Sequence, residues 1–456
     1  MFINPSADRS KVRLSLVLFT CIFLPSQLAP AQENWPRFRG ADATGVVPND
    51  ARLPDSWDRE KNVRWCTNIP GWGWGSPIAW GDRVFVSAVI NDDEYKRPQA
   101  GLGHPQQLPV GPDESPTTVH HWMVYCLSLK TGDVLWKQEA HAGVPKVPRH
   151  RKSTYASETP TTDGKRLYVL FGDLGLYCYD FDGNPLWQHE IEPKETLTNY
   201  GAAASPVVLG EQVIFIYDNE EASYIAAIDG ATGRIQWKKP RDEVSTWSTP
   251  FVWTHAGRTE IVTTGFKANR SYAPDGKLLW HFDGRMTTIC TPSPFAVDGL
   301  LYLTSGSGGG GVRPMFAIRP GATGDITLKD DATTNDFIKW SLTKVGPYTR
   351  SPIVYRGFLY AARGHTISCF DARTGERHFR KRFPTGISFV ASPWAYNGKV
   401  FCLDEHGVTH VIPVGTEFKV ERTNPLDELS MATPSISQGN LLIRTAAHVY
   451  CLSTQE

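Results

Sequence analysis

Seven of the chain's eight cysteines lie beyond residue 31: Cys66, Cys126, Cys178, Cys290, Cys369, Cys402 and Cys451. Thiols are the groups here best suited to nucleophilic, redox or metal chemistry, but their spacing speaks against each use. No two are adjacent, and none stands in a C-x-x-C-H haem-attachment motif. Four recur in matching contexts, "YCLS" at Cys126, "YCYD" at Cys178, "SCFD" at Cys369 and "YCLS" at Cys451, while Ala226 fills the same place in "IAAID". A position shared by Cys and Ala is a small buried apolar site. Equivalent positions on separate repeats are too far apart for a disulfide, so these are read as structural free thiols.

Other chemical candidates also weaken on inspection. "EHGVTH", Glu405 to His410, places His406 and His410 four apart on a strand, roughly 13 Å, too far to chelate one zinc. His120 and His121 point to opposite faces of a strand and read as a surface pair. "SGSGGGG", Ser305 to Gly311, is followed by Val-Arg-Pro instead of Lys-Ser or Lys-Thr, which makes it a glycine-rich loop and not a P-loop.

The elements that must position these residues form a repeat. "TPTTDGKRLYVLFGDLGLYCYDFDGNPLW", from Thr159, reads as four short strands separated by turns at Asp163-Gly164 and Asp182-Gly183 and by a polar loop. The same order starts at Ser76-Pro77, Thr159-Pro160, Ser205-Pro206, Thr249-Pro250, Ser293-Pro294, Ser351-Pro352, Ser392-Pro393 and Thr433-Pro434. Six of the seven spacings between starts fall between 41 and 58 residues; the first is longer because a Pro-, Gly- and Gln-rich insertion, Asn91 to Thr118, sits inside it. Four strands at that period are propeller blades. The last copy lacks its fourth strand, and "NVRWCTNIPG", Asn62 to Gly71, reads as a lone outer strand. The expected fold is therefore all-β: an eight-bladed β-propeller of four-stranded antiparallel blades, closed by the N-terminal strand pairing into the last blade. Trp65, Trp136, Trp187, Trp237, Trp280, Trp340 and Phe379 follow the third turn of their units and are expected to pack between neighbouring blades.

The units "YCLSLKTGDVLW", "AAIDGATGRIQW" and "SCFDARTGERHF" resemble the pyrroloquinoline-quinone (PQQ) enzyme repeat, a strand ending in Leu-Asp, then x-x-Thr-Gly, then a strand with Trp. The resemblance covers nearly all of Asn62 to Glu456. The leader "NWPRFRGADATGV", Asn34 to Val46, is similar to the W-P-x-F-R-G opening of exported planctomycete PQQ-like propellers. The repeat occurs in quinoprotein dehydrogenases and in the outer-membrane protein assembly lipoprotein of Gram-negative bacteria, so the resemblance implies the fold and leaves the function open. Quinoprotein enzymes carry a vicinal Cys-Cys against the quinone and Glu, Asn and Asp around calcium. This chain has no Cys-Cys pair. No calcium-ligand motif carries over, so no cofactor is expected; PQQ with calcium belongs to the alternative reading.

In such a blade the loops joining the fourth strand to the next blade (D–A) and the second to the third (B–C) share one face, around the channel mouth. Trp72, Trp74, Tyr155, Tyr200, Trp247, Tyr348 and Phe389 stand just before the Ser/Thr-Pro starts, and the B–C loops add Asp173, Lys267, Asn269, Arg270, Arg313, Arg363, His365, Glu405 and Arg444. The candidate site is the funnel of Trp74, Tyr155, Tyr200, Trp247, Arg270, Arg313, Tyr348, Arg363, His365, Glu405 and Arg444, suited to an anionic or ring-shaped ligand or a peptide. The alternative is that the aromatics seal the blade tops and the charges are solvated. The basic run "KVPRHRKS", Lys146 to Ser153, reads as a solvated loop on the same side, and the insertion as a lid, a docking arm or decoration.

The 456 residues carry zero formal net charge, which gives no field to draw nucleic acid or anionic membranes. Residues 1–31 have the plan of a signal peptide: Arg9, Lys11 and Arg13, an apolar run from Leu14 to Leu24, and Ala29-Pro30-Ala31 before a mature start at Gln32. That apolar run is too short to span a bilayer. The expected organisation is a signal peptide over 1–31, an extended leader over 32–61 and the propeller over 62–456. The expected role is an exported, monomeric, non-catalytic scaffold in the periplasm or cell envelope, binding an envelope protein or a small ligand at the channel mouth. The alternative is a quinoprotein-like dehydrogenase.

Overall fold

The computed structural model describes residues 1–2, 34–91, 98, 116–306, 311–386 and 388–454. The signal-peptide reading and most of the 91–118 insertion lie outside them. Gln32–Glu456 is one compact unit, an eight-bladed β-propeller of four-stranded antiparallel blades, with a short fifth strand, Gly324–Asp325, added parallel to Leu278–Phe282 at the outer edge of the fourth. Blades 1 to 7 occupy 78–143, 161–190, 207–240, 251–282, 295–342, 353–382 and 394–425. Blade 8 takes three strands from 435–452 and its outer strand, Val63–Asn68, from the other end of the chain. Trp65 stands opposite Cys451 and Asn68 opposite His448 in that pairing. This is the closure the incomplete last repeat called for, and it leaves the edge of His448–Leu452 covered.

The Ser/Thr of each Ser/Thr-Pro start does more than mark a turn. The backbone N–H of each but the last donates to the side-chain hydroxyl of the next: Ser76 to Thr159 at 3.0 Å, Thr159 to Ser205 at 2.9 Å, Ser205 to Thr249 at 3.1 Å and Thr249 to Ser293 at 3.0 Å. It continues from Ser293 to Ser351, Ser351 to Ser392 and Ser392 to Thr433 at 2.9, 3.0 and 2.9 Å. This relay ties the inner ends of all eight blades, and the Pro that follows each member needs no donor of its own there.

The outer strands interlock through tryptophan. Trp187 donates its indole N–H to the carbonyl of Gly230 in the next blade at 3.0 Å. Its ring lies so close to Gly233 that a Cβ there would sit 2.7 Å away. Gly233 has φ +73°, a conformation that favours glycine, so turn and ring fix the same residue type for two reasons. Trp65, Trp136, Trp237 and Trp340 repeat the arrangement on the turns of Gly132, Gly183, Gly276 and Gly375. Phe379 meets Phe418 of the following blade instead, ring centroids 5.8 Å apart. Trp280 also packs between its blade and the next but turns its N–H onto buried Glu260 in its own blade, at 2.7 Å.

The leader is part of the core. Trp35 pairs with Ala79 of blade 1, the Pro36 carbonyl accepts from Thr162 of blade 2, Arg39 donates to the Pro352 carbonyl of blade 6, and Val47 bonds to Ala395 of blade 7. These partners all belong to innermost strands or their first residues on different sides of the ring, so 34–47 crosses the central channel. It enters beside the first turn of blade 1, where Asn34 accepts from Gly81, and leaves beside that of blade 7, where Asp50 meets Asn397. The channel is therefore closed from the face opposite the mouth.

Candidate functional site

The D–A and B–C loops do share one face: Glu243 of a D–A loop accepts from the N–H groups of Lys267 and Ala268 in a B–C loop, at 3.0 and 2.9 Å. The basic run, read as solvated, folds into the mouth instead. Arg149 is buried and stacks over Tyr155, 5.5 Å from its centroid. Lys152 reaches Glu405 of blade 7, Nζ to Oε1 2.7 Å, with Glu405 wholly buried. Aromatic residues hold the loop there. Trp74 donates its indole N–H to the Lys152 carbonyl at 2.7 Å, and His150 meets Tyr200 edge-on at 4.6 Å. Tyr200 in turn lies 6.2 Å from Trp247. Trp74, Tyr155, Tyr200, Trp247 and Glu405 are thus one assembly, and Tyr348 joins it beside Tyr200, its phenol pushed up by burial and then by that neighbour.

The positive side of the mouth lies on blades 5 and 6. Arg313 is half-buried and donates to the Lys344 carbonyl at 3.0 Å. Arg363 is held below the ordinary arginine range by burial, then by Arg313 and Arg380. His365 hydrogen-bonds the Gly386 carbonyl at 3.0 Å. Arg350, missed in the sequence because it looked like an ordinary linker residue, is buried above Phe389 at 5.5 Å and pushed down to about 10 by desolvation. The structure does not add Arg270 and Arg444 to this group. Arg270 is ion-paired with buried Glu243, and buried Arg444 donates to the Ser87 carbonyl.

Five of the buried thiols are held in their protonated form. Burial pushes Cys126, Cys178, Cys369, Cys402 and Cys451 up to about 12, so the nucleophilic thiolate is absent at neutral pH. Cys126, Cys178 and Cys369 face Phe85, Tyr168 and Tyr360 across the ladder just as Ala226 faces Phe215, which is the equivalence read from the sequence. The strand holding His410 starts at Val408, leaving His406 exposed in the preceding turn, while His410 is buried with Nε2 3.1 Å from Asp404. His120 corrects the surface-pair reading. It is buried, 3.2 Å from Asn91 and 2.9 Å from the Thr118 carbonyl, because this strand and its partner run on to nine residues each and cover it.

Calcium takes six to eight oxygen ligands, and among the described residues no three His, Cys, Asp or Glu stand together as a metal-binding group. Asp218, Glu243 and Glu405 already face Arg241, Arg270 and Lys152. Cations for a quinone's carboxylates are present in Arg313, Arg350 and Arg363, whereas Asp218, Glu243 and Glu405 are not free to hold calcium. Among the described residues no helix is long and apolar enough to cross a membrane.

The architecture is that of the quinoprotein-type propellers. The chain belongs to the family described as outer membrane protein assembly factor BamB, whose model matches residues 122–246 and 221–455. Similar solved structures include BamB from Moraxella catarrhalis, 12% identical with TM-score 0.50, covering 80% of this chain and 98% of that one. The quinohemoprotein alcohol dehydrogenase from Comamonas testosteroni is 11% identical with TM-score 0.57, covering 92% and 80%. A second such dehydrogenase, from Pseudomonas putida HK5, is 11% identical with TM-score 0.57, covering 93% and 80%. Likeness at that identity is of fold alone. No curated protein matches the chain.

Proposed function

We propose that the protein is an exported, non-catalytic propeller without a cofactor, acting in the cell envelope as a scaffold that holds a protein or small ligand at the channel mouth. The observation that carries this reading is the state of the mouth's carboxylates on blades 3, 4 and 7: each is engaged by a cation of the same chain. These three are therefore not free to serve as a base or as metal ligands. What the mouth presents to a partner is half-buried Tyr200 and Tyr348 together with Arg313, groups that recognise aromatic and anionic surfaces.

The first test is calorimetric titration of the protein with PQQ in calcium-containing buffer. No heat of binding is expected. Tight binding at one site would replace the scaffold with the second reading, a quinoprotein-like dehydrogenase, which the fold shared with the alcohol dehydrogenases favours. Export is tested by N-terminal sequencing of the protein from the envelope fraction, with Gln32 expected as the first residue.

A further inference from the structure

The chain is neutral as a whole but not sector by sector. Lys344 to Arg382 holds nine Lys or Arg against two carboxylates, Asp371 and Glu376. Both carboxylates stand at the third turn of blade 6, across the blade from the mouth, where Asp371 accepts from the N–H groups of Arg373 and Thr374 at 2.9 and 2.7 Å. The mouth end of the sector has no counter-charge. Among the described residues Arg313, Lys344, Arg380, Lys381 and Arg382 make no ion pair, whereas Lys267 of blade 4 and Lys399 of blade 7 meet Asp242 and Asp55.

Strand geometry gathers these cations. In blade 6 Arg363 stands across from Thr366, Thr366 from Arg382, and Ser368 from Arg380. Residues directly opposite share a face, and faces alternate along a strand, so Arg363, Arg380 and Arg382 project from one face of the blade. That face meets blade 5. Arg363 feels Arg313 of blade 5 and Arg380 as like charges, and Arg313 has its Nε buried without a partner. Phe379 takes the opposite face, against Phe418 of blade 7. Like charges held together repel, and an anion set between them relieves the repulsion.

The strand that carries Arg380 and Arg382, Arg377–Arg382, is the outermost of its blade, and five of its six residues are exposed. Among the described residues no strand pairs with its outer edge. This propeller fills one such edge already: Gly324–Asp325 lies parallel to Leu278–Phe282 of blade 4, with Gly324 across from Trp280 and Asp325 from His281. An unpaired row of backbone N–H and C=O groups is matched by another peptide strand. A lipid headgroup or a polysaccharide leaves that row unmatched.

We propose that the outer edge of blade 6 binds an extended acidic peptide as a fifth strand, with carboxylates two residues apart facing Arg380 and Arg382. The spacing follows from the two-residue period of a strand, and opposite charges directly across a ladder are the favourable pairing. The inference deepens the scaffold reading and rests on it for its role: it gives the partner a chemistry, and Arg363 and Arg313 join the edge to the mouth.

The test is a fluorescence-anisotropy titration of the full chain with labelled Ac-Thr-Glu-Thr-Glu-Thr-Glu-amide. Its controls are the Gln analogue and Ac-Glu-Glu-Thr-Thr-Glu-Thr-amide, which has the same charge but no two Glu two residues apart. The alternating peptide is expected to bind about 10-fold more tightly than the Gln analogue, and more tightly than the isomer. Arg380→Gln combined with Arg382→Gln should weaken it about 10-fold with the melting temperature unchanged, since both side chains are exposed. Lys239→Gln, on the exposed outer strand of blade 3, should leave it unaltered. No binding, equal binding of the two Glu peptides, or binding that ignores the double variant would overturn the proposal. Two further outcomes would also replace it: phosphatidylglycerol vesicles that bind through the same arginines where the peptides do not would assign the patch to a membrane, and self-association of the double variant without peptide binding would mean that the cations only guard the edge. The titration with PQQ decides the scaffold reading separately. Tight PQQ binding that the double variant leaves intact would remove the scaffold and not the edge, and absence of peptide binding would remove the edge and not the scaffold.

Discussion

The junction between blades 8 and 1 departs from the one between blades 2 and 3. At the 2–3 junction two devices work together: Trp187 on the turn of Gly233 outside, and the Thr159 N–H on the Ser205 hydroxyl inside. At the 8–1 junction only the outer device is present. Trp65 donates to the Leu129 carbonyl at 2.9 Å and covers Gly132, but the Ser76 hydroxyl, which should receive the eighth relay bond, is buried without a partner. Side chains cross instead: Gln438 donates to the Gly81 carbonyl at 2.7 Å and Arg444 to that of Ser87. The linker 69–75 is threaded closely under them, and a Cβ on Gly73 would meet the Ser87 carbonyl at 2.4 Å. Ring closure by a strand from the far end of the chain thus keeps the outer tryptophan contact and dispenses with the inner relay bond.

The comparison is broken most severely by removing the closing strand. Deleting residues 62–70 uncovers the edge of His448–Leu452 and takes away Trp65, and loss of a single cooperative unfolding transition is expected in calorimetry. An unchanged melting curve would mean that closure does not depend on this strand. Next in size are the tryptophans. Trp187→Ala should destabilise by about 3–5 kcal/mol in urea titration, and Trp65→Ala should cost as much, because both rings cover a glycine turn and donate to its carbonyls. A loss at Trp65 below about 1 kcal/mol would place the strength of the 8–1 junction in Arg444 and Gln438 instead.

The period of the Ser/Thr-Pro starts and the missing fourth strand of the last repeat made blade number and closure legible, because β-strand period and turn chemistry are local signals. The tryptophan interlock was legible for the same reason: Gly and Trp recur at fixed distance within each unit. What was not legible is non-local. Nothing in "NWPRFRG" says that Arg39 will lie buried against Pro352, 313 residues away. Of the mouth residues, the aromatics came together as their position before each start predicted. Arg270 and Arg444 did not, since a charge pattern does not reveal that Glu243 or a Ser87 carbonyl will claim them.

The smallest effect is the sharpest probe of the two junctions. Ser205→Ala removes the acceptor of the Thr159 N–H and strands it in a buried place, a loss of about 1–3 kcal/mol. Ser76→Ala removes a buried hydroxyl that accepts nothing, and its expected effect is within about 0.5 kcal/mol or slightly stabilising. Ser76 still donates its own N–H to Thr159 in the variant, so the rest of the relay is untouched and the two substitutions differ in one bond only. Urea midpoints of the pair decide the matter. If Ser76→Ala costs as much as Ser205→Ala, an eighth relay bond forms in solution and the 8–1 junction is no different from the other seven. If the two differ as expected, the ring is held at that junction by its outer strand and by the side chains that cross it.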